Sequence, residues 1–191
     1  MFKTVAAAVL ASCLLLAAGC SPRPPAPSVN ASMTQVVAPQ AQTIWDIANR
    51  AYNDRGDGLA ASRISAADWI ALGKAGRQLR DRALVLSKAS HITAADPGET
   101  IMGQDASGAS GQLGQTWDAA SARKVQAMID ANPALFAQRA RILAQAGDTV
   151  LKASKTRDVR PLYAVASSLD EVCDGCHKPF WGTDEPPPFP K

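Results

Sequence analysis

Apolar residues recur at three- and four-residue spacing along most of the chain, which is the period of an amphipathic helix. The first predicted helix runs from about Met33 to Asn53. Its apolar positions fall along one side: Met33, Val36, Val37, Ile44, Ile47, Ala48 and Ala51. Pro39 lies within the first turns, where a proline can kink a helix or delay its regular start. The two glycines of "DRGDG" (54–58) then supply the conformations that end a helix.

The second predicted helix begins after Ser65 and runs to about Ala89. Ser65 can cap its first turn, and Asp68, three residues later, favours the positive end of the helix dipole. Residues 96–115 are polar and rich in glycine, which predicts a loop. A shorter helix is expected within residues 116–130.

Two more long helices follow in the second half of the chain. Asn132 and Pro133 are residue types favoured at the cap and at the first position of a helix, and this third long helix runs to about Ala153. The polar break "KTRD" separates it from a fourth, which Asp158 can cap and whose apolar face is Leu162, Val165, Leu169 and Val172. Four long helices with one long connection predict an all-α fold, an antiparallel four-helix bundle.

Both ends of the chain differ in composition from the predicted bundle, residues 32–181. Residues 1–19 hold one basic residue and then a short apolar run, which are the proportions of a signal peptide. They end in "LAAG" before Cys20, which resembles a bacterial lipobox, so we expect cleavage there and lipidation of the Cys20 thiol. The alternative is an ordinary secretory signal, with Cys20 left free or removed. Residues 20–31 and 182–191 are rich in proline, which predicts an extended tether and a tail outside the core.

The charge of the chain is close to balanced. The formal net charge is +3, and removing residues 1–19, whose one charged residue is Lys3, lowers it to +2. So weak a balance argues against a nucleic-acid partner. We expect a lipid-anchored domain on the periplasmic side of a bacterial membrane, and Ser21 resembles the residue of lipoproteins sorted to the outer membrane. No carboxylate pair, Ser-His-Asp set or phosphate loop is evident, so we do not expect an enzyme.

Candidate chemistry concentrates in Cys173-Asp174-Gly175-Cys176-His177, since the whole chain has four cysteines and two histidines. A structural zinc site needs four ligands. This segment offers three, and His91 is the other histidine. A thioredoxin-type dithiol belongs at a strand-to-helix junction, which an all-α chain does not offer. A Cys173–Cys176 disulfide in a non-haem lipoprotein scaffold is a third interpretation, and it leaves His177 unexplained.

A covalently attached haem explains all three residues of the motif at once. Cysteines three apart project from one side of a helix, so both sulfurs can bond the two vinyl groups of one haem. His177 is turned by about 100° from Cys176 on a helix, which lets its imidazole reach the iron. Such attachment is made outside the bacterial cytoplasm, in agreement with a signal peptide. The sequence therefore predicts one covalent haem c held by Cys173, Cys176 and His177.

A helical bundle with C-x-x-C-H near the end of its last helix resembles the class II cytochromes c, the cytochrome c′ group. The resemblance covers residues 33–181, and it implies attachment at Cys173 and Cys176 and a proximal iron ligand at His177. "CHKPFW" has the basic residue and the aromatic that follow the His in that family, although Trp181 replaces the Arg often found there. A closer likeness is to a bacterial branch with a first helix similar to "MTQVVAPQAQTIW". Members of the family often dimerise through their first two helices, which implies a homodimer here.

The sixth iron ligand decides what such a haem does. Met-ligated members of the family have a Met at the start of the first helix, and Met33 occupies that position, although a Met on an inner helix face often only fills the core. A Met ligand gives a low-spin electron carrier, whereas an open iron binds NO or CO. Met102 in the predicted loop, Met128 on the short helix and His91 at an exposed helix end are poorer candidates. We therefore expect one-electron transfer with unidentified redox protein partners, with a gas-binding haem protein as the alternative.

Overall fold

The computed structural model of the chain describes residues 27–97, 99, 101–102, 116–117 and 119–181, and almost all of them are helical. The elements are α1 (Val29–Ser32), a π-helical turn (Met33–Val37), α2 (Ala38–Ala51), a 3₁₀ turn (Ala61–Arg63), α3 (Ala66–Lys88), β1 (Ile101–Met102), β2 (Thr116–Trp117), α4 (Ala119–Ala131), α5 (Pro133–Thr156) and α6 (Val159–Trp181). The two-residue strands pair antiparallel. The all-α prediction is confirmed for these residues. Among them, no helix combines the length and the apolar composition that crossing a membrane requires.

The first helix begins at Val29, before the predicted start at Met33. Ser28 caps it, because its hydroxyl accepts a hydrogen bond from the Ala31 N–H at 3.0 Å. Residues 29–31, which the sequence placed in the extended tether, are therefore helical, and their side chains are buried.

A distant segment of the chain explains the early start of α1. The backbone N–H groups of Val29 and Asn30 donate to the carbonyl oxygens of Thr93 and Ala94, at 2.8 and 2.9 Å. These bonds satisfy donors at the helix start that would otherwise lack partners. The local sequence gives no sign of them, because the acceptors come from beyond the second long helix.

Local capping signals predicted the other helix ends well. Ser65 accepts from the Asp68 N–H at 3.1 Å, and Asp68 accepts from the Ser65 N–H at 3.0 Å, which is a complete capping box at the start of α3. Asp158 accepts from the Arg160 N–H at 3.0 Å at the start of α6. Asn132 precedes α5 as predicted, but its side chain makes no capping hydrogen bond.

The long helices α2, α3, α5 and α6 share one main core. In this part of the structure α2 and α5 each pack against both α3 and α6. Large side chains of the main core include Ile44, Ile47, Trp69, Leu72, Leu79, Leu143, Val150, Leu162 and Leu169. The backbones of α3 and α5 touch, since a Cβ built on Gly76 would lie 2.7 Å from the carbonyl oxygen of Gly147. Only residues without a Cβ allow so close an approach.

A second cluster of buried side chains lies where α1 and α4 meet the ends of α3, α5 and α6. Its members are Val29, Leu86, Ala94, Val125, Ile129, Phe136, Ala140 and Phe180. The rings of Phe136 and Phe180 meet edge to face, with their centroids 5.4 Å apart. The last turns of α6, which carry the C-x-x-C-H motif, run along this second cluster.

Candidate functional site

The C-x-x-C-H residues lie in the last turns of α6, which continues through them to Trp181. Cys173 packs against the main core, whereas Cys176 packs against the second cluster. His177 is half-buried beside Cys176. The motif therefore lies where the two groups of apolar side chains meet, and its two sulfurs are about one helical turn apart.

Burial makes both thiols weak acids. It raises the pKa of Cys173 to about 11, and the carboxylates of Asp170 and Asp174 act in the same direction. It raises the pKa of Cys176 to about 12, with Cys173 adding to the effect and Arg139 opposing it. Both thiols are therefore protonated at neutral pH.

Shielded, protonated thiols argue against one alternative for the motif. A redox dithiol depends on a thiol with a lowered pKa, whereas both of these pKa values are raised. Within the described ranges, no group of three or more His, Cys, Asp and Glu side chains could hold a metal ion. The second histidine, His91, is exposed and lines a groove that includes neither Cys173 nor Cys176.

The imidazole of His177 is kept neutral by its surroundings. Burial lowers its pKa, and the carboxylate of Asp174 opposes that shift. Asp174 itself forms an ion pair with Lys178 at 2.9 Å on the outer side of α6. A neutral imidazole has one unprotonated ring nitrogen, and this is the form of histidine that binds a metal.

His177 lines a small cavity of about 20 Å³ between α6 and the segments that face it. The lining residues are Val29, Met33, Val125, Ile129, Phe136, Cys176, His177 and Phe180. Met33 and His177 thus lie on one cavity, although they come from the first and the last helical segments of the chain. Apart from the Cys176 thiol and the imidazole, every lining side chain is apolar. The structure therefore brings together three of the residues that the sequence singled out.

The other candidate ligands lie elsewhere or cannot be placed. Met128 packs against the second cluster but does not line the small cavity. His91 lines a separate groove of about 340 Å³, which Ile129 alone shares with the small cavity. The side chain of Met102, the signal peptide, Cys20 and the proline-rich tail lie outside the described residues.

Several residues at the site carried no signal in the sequence. Periodicity marks Ile129 and Phe136 as apolar, but it does not predict that they meet His177. Arg139 lies beside the motif, since a Cβ built on Gly175 would be 3.4 Å from its Nη1. The Nε of Arg139 is buried without a hydrogen-bond partner in the described part of the chain. The sequence does not indicate which Arg or Lys side chain lies beside the motif, because that depends on tertiary packing.

The donor groups at this site fit a covalently attached haem. Cys173 and Cys176 present two thiols on one side of a helix, and His177 adds a neutral imidazole next to them. Met33 adds a soft thioether on the same cavity. The remaining lining is apolar, as the two faces of a porphyrin require.

A porphyrin would need more room than the small cavity offers, and α4 forms one wall of that cavity. The cavity of about 20 Å³ has room for about one water molecule. Helix α4 contributes Val125 and Ile129 to its wall, and Gln126 ties α4 to the segment that follows α3. The Gln126 side chain accepts from the Ala94 N–H at 2.7 Å and donates to the Ile92 carbonyl at 2.9 Å. Most of α6 packs against the main core, whereas its last turns and α4 pack against the second cluster.

No protein-family model, curated protein or solved structure matches this chain.

Proposed function

We propose that this protein is a periplasm-facing, mono-haem c-type cytochrome that carries single electrons, similar to the class II cytochromes c. One observation carries the proposal: Met33 and His177 line the same apolar cavity beside Cys176. A six-coordinate iron needs two axial ligands that face each other next to the attachment point. A haem bound here would supply the iron that takes up and releases one electron.

Cys173 and Cys176 are the attachment residues in this proposal. Each thiol would add across one vinyl double bond of the haem, so that one S–H bond and the π bond of the vinyl group break while one S–C and one C–H bond form. The addition needs no oxidant. Both sulfurs lie on one side of α6, and the main core holds that helix rigidly. A haem attached here would therefore be held by a helix that packs against the main core, although of the two cysteines only Cys176 lines the small cavity.

His177 and Met33 are the proximal and distal ligands in this proposal. Both donors are uncharged, so the iron can change its charge by one without taking up or releasing a proton at either ligand. A Met thioether favours the reduced iron and raises the reduction potential. The apolar side chains of Ile129, Phe136 and Phe180 exclude water from the ligands. Exclusion of water keeps the reorganisation that accompanies electron exchange small.

The helix packing supports an antiparallel four-helix bundle made of α2, α3, α5 and α6. Two contacts show the relative direction of α2 and α6. Trp45 contacts Ala166, and Tyr52, directly after the end of α2, contacts Tyr163. Residue numbers rise along α2 as they fall along α6, as in antiparallel neighbours. We interpret the ring of contacts among the four helices as the bundle that the sequence predicts.

The proposal includes the cellular setting that the sequence predicts. Cys20 carries the lipid anchor, the bundle faces the periplasm, and the outer membrane is the favoured location. Electrons pass to and from redox protein partners, and two copies of the chain associate through their first two bundle helices. Mass spectrometry of the mature protein tests the anchor, because diacylglycerol on Cys20 adds a defined mass to the first peptide.

Absorption spectra of the holoprotein, oxidised, reduced, and reduced with CO, test the proposed function. Sharp bands of a low-spin reduced haem and no response to CO would support a six-coordinate electron carrier. A broad high-spin spectrum that shifts with CO would contradict electron transfer and support the gas-binding alternative. A negative haem stain of the denatured protein would contradict both and favour a scaffold with a Cys173–Cys176 disulfide.

A further inference from the structure

The helix that bears Met33 is interrupted by a single π-helical turn, Met33–Val37. At its end the Ala38 N–H donates to the Met33 carbonyl, five residues back, instead of the four-residue step of an α-helix. A π-helical turn holds one residue more than an α-helical turn. Such turns are rare, and they occur often at functional sites. Met33 is the first residue of this one.

Pro39 accounts for the π-helical turn. It lies at the second position of α2, with only Ala38 between it and the end of the turn. Proline has no N–H, and inside an α-helix its ring clashes with the carbonyl four residues earlier, here that of Gln35. A wider turn before Pro39 moves that carbonyl away from the ring.

The extra residue changes the direction in which Met33 faces. In an uninterrupted α-helix Met33 would lie directly above Val37, because residues four apart share a face. Val37 is buried in the main core. One added residue rotates the preceding segment by about 100° relative to α2, so that Met33 lies above Ala38 instead. In the structure Met33 packs against both the main core and the second cluster, and it lines the cavity that His177 lines. The changed register therefore places Met33 at the junction of the two groups instead of directly above Val37.

Both ends of this segment are held, so the rotation has to occur between them. Val29 and Asn30 are fixed by backbone hydrogen bonds to Thr93 and Ala94. Beyond the turn, α2 is fixed by its buried face in the main core. Val29 is 7% exposed in the second cluster and Val37 is 5% exposed in the main core, so each side of the turn serves a different group of apolar residues.

We propose that Pro39 is a positioning residue, which enforces the π-helical turn and thereby directs the Met33 thioether into the cavity that His177 lines. The haem-dependent part of this inference rests on the proposed function. The part that concerns the direction of Met33 in the haem-free chain is independent of the proposed function.

Replacing Pro39 by Ala in the holoprotein tests the inference. The variant regains an N–H at that position, and the segment can form an unbroken α-helix. We expect the oxidised protein to lose the weak long-wavelength band of a Met–iron bond and to gain a high-spin spectrum that responds to CO. The matched control is Pro133→Ala, because Pro133 is the first residue of α5, and a backbone N–H at that position has no acceptor within the helix. The control should keep the low-spin spectrum.

A rescue variant separates a change of register from general damage. Deleting the exposed residue Gln35 in the Pro39→Ala protein places Ala38 four residues after Met33, so a regular α-helix restores the original direction of Met33. We expect the low-spin spectrum to return. If Pro39→Ala loses the low-spin spectrum and deletion of Gln35 does not restore it, the register explanation is overturned. If the spectrum of Pro39→Ala is unchanged, the role of Pro39 is overturned.

A second measurement does not need haem. In the haem-free protein with isotope-labelled Met methyl groups, we expect nuclear Overhauser contacts between the Met33 methyl and the Phe180 ring. Those contacts should disappear in Pro39→Ala and reappear after deletion of Gln35. Contacts that persist in Pro39→Ala would overturn the inference. If the wild-type holoprotein shows no Met–iron bond, the proposed function is contradicted. The inference about Pro39 is not affected by that result, because the methyl contacts in the haem-free protein test it independently.

Discussion

Trp45 donates a hydrogen bond from its indole Nε1–H to the carbonyl oxygen of Ala166 at 3.2 Å. This bond joins α2, which continues from the segment that bears Met33, to α6, which carries His177. Trp45 packs against the main core as well. The alignment of α2 with α6, on which the shared cavity depends, is therefore fixed by a directional contact in addition to apolar packing.

Replacing Trp45 by Phe should remove this hydrogen bond and keep most of the apolar contact. The Ala166 carbonyl keeps its acceptor role inside α6, so only the gain from one bond is lost. We expect the free energy of unfolding to fall by about 0.5–1.5 kcal/mol. Urea denaturation followed by circular dichroism measures it. An unchanged free energy would show that packing alone aligns the two helices.

Replacing Gly147 by Ala should destabilise the contact between α3 and α5. A Cβ there would lie 2.6 Å from the backbone nitrogen of Arg80 and 2.8 Å from the carbonyl oxygen of Gly76, and backbone cannot move aside cheaply. We expect a loss of about 1–3 kcal/mol in the free energy of unfolding, because the two helices must separate. Gly73→Ala is the control, since its Cβ would meet the Ser154 hydroxyl at 2.9 Å, and that side chain can rotate. Equal losses in the two variants would contradict the close-approach explanation.

Glu99 connects the start of α1 to the segment after α3. Its carboxylate accepts from the Ser28 hydroxyl at 2.6 Å and from the Asp96 N–H at 2.7 Å. Burial acts to raise the pKa of Glu99, but these two bonds and one from Asn30 outweigh it, and the pKa is lowered from 4.5. A carboxyl whose folded pKa is lowered stabilises the protein above its unfolded pKa and loses that effect as the pH falls through its folded pKa.

Glu99→Gln should therefore be less stable than the wild type at neutral pH, and the difference should shrink as the solution becomes acidic. Urea denaturation at a series of values from about pH 7 to pH 3 measures both curves. Parallel curves for the two proteins would contradict an ionised, hydrogen-bonded Glu99 in the folded state.

The shielding of Cys173 and Cys176 can be tested in the haem-free protein. Their pKa values, about 11 and about 12 against an ordinary 9.0, leave little thiolate at neutral pH. We expect slow reaction with Ellman's reagent in the folded protein and fast reaction after denaturation. A raised thiol pKa also means that the unfolded chain loses its protons first, so stability should fall as the pH rises above 9.0. Fast reaction of the folded protein at neutral pH would restore the redox dithiol as an interpretation.

Features that depend on neighbouring residues could be predicted from the sequence. The Ser65–Asp68 capping box, the Asp158 cap and the start of α5 at Pro133 each lie within one helical turn, so the residue types alone carried the signal. The C-x-x-C-H motif is local in the same sense. Asn132 is the exception, because its side chain does not make the cap that its residue type favours.

Features that depend on distant contacts could not be predicted. The early start of α1 requires acceptors at Thr93 and Ala94, and the contact of α3 with α5 needs glycines from two helices. Pro39 was a visible signal for an irregular helix start. Its consequence for Met33 depends on which residues before and after the turn pack against the second cluster and which pack against the main core. Periodicity along one helix does not contain that information.

Replacing Met33 by Ala tests the ligand assignment most directly. Without the thioether, the iron of the proposed haem would have no sixth protein donor among the residues that line the small cavity, because every other lining side chain except Cys176 and His177 is a hydrocarbon. We expect a change from low spin to high spin, a response to CO and a lower reduction potential, since the Met ligand favours reduced iron. Absorption spectra with and without CO, together with a redox titration, measure these changes.

Met128→Ala is the matched control for Met33→Ala. Met128 packs against the same second cluster but does not line the cavity. Its replacement by Ala therefore removes the same side-chain volume as Met33→Ala without removing a proposed ligand. The control should keep the low-spin spectrum and lose only stability, by about 2–5 kcal/mol at most for a side chain that is partly buried. A low-spin spectrum that survives in Met33→Ala would remove Met33 as the ligand. High spin in both variants would show that the spectrum reports packing of the second cluster and not a Met–iron bond.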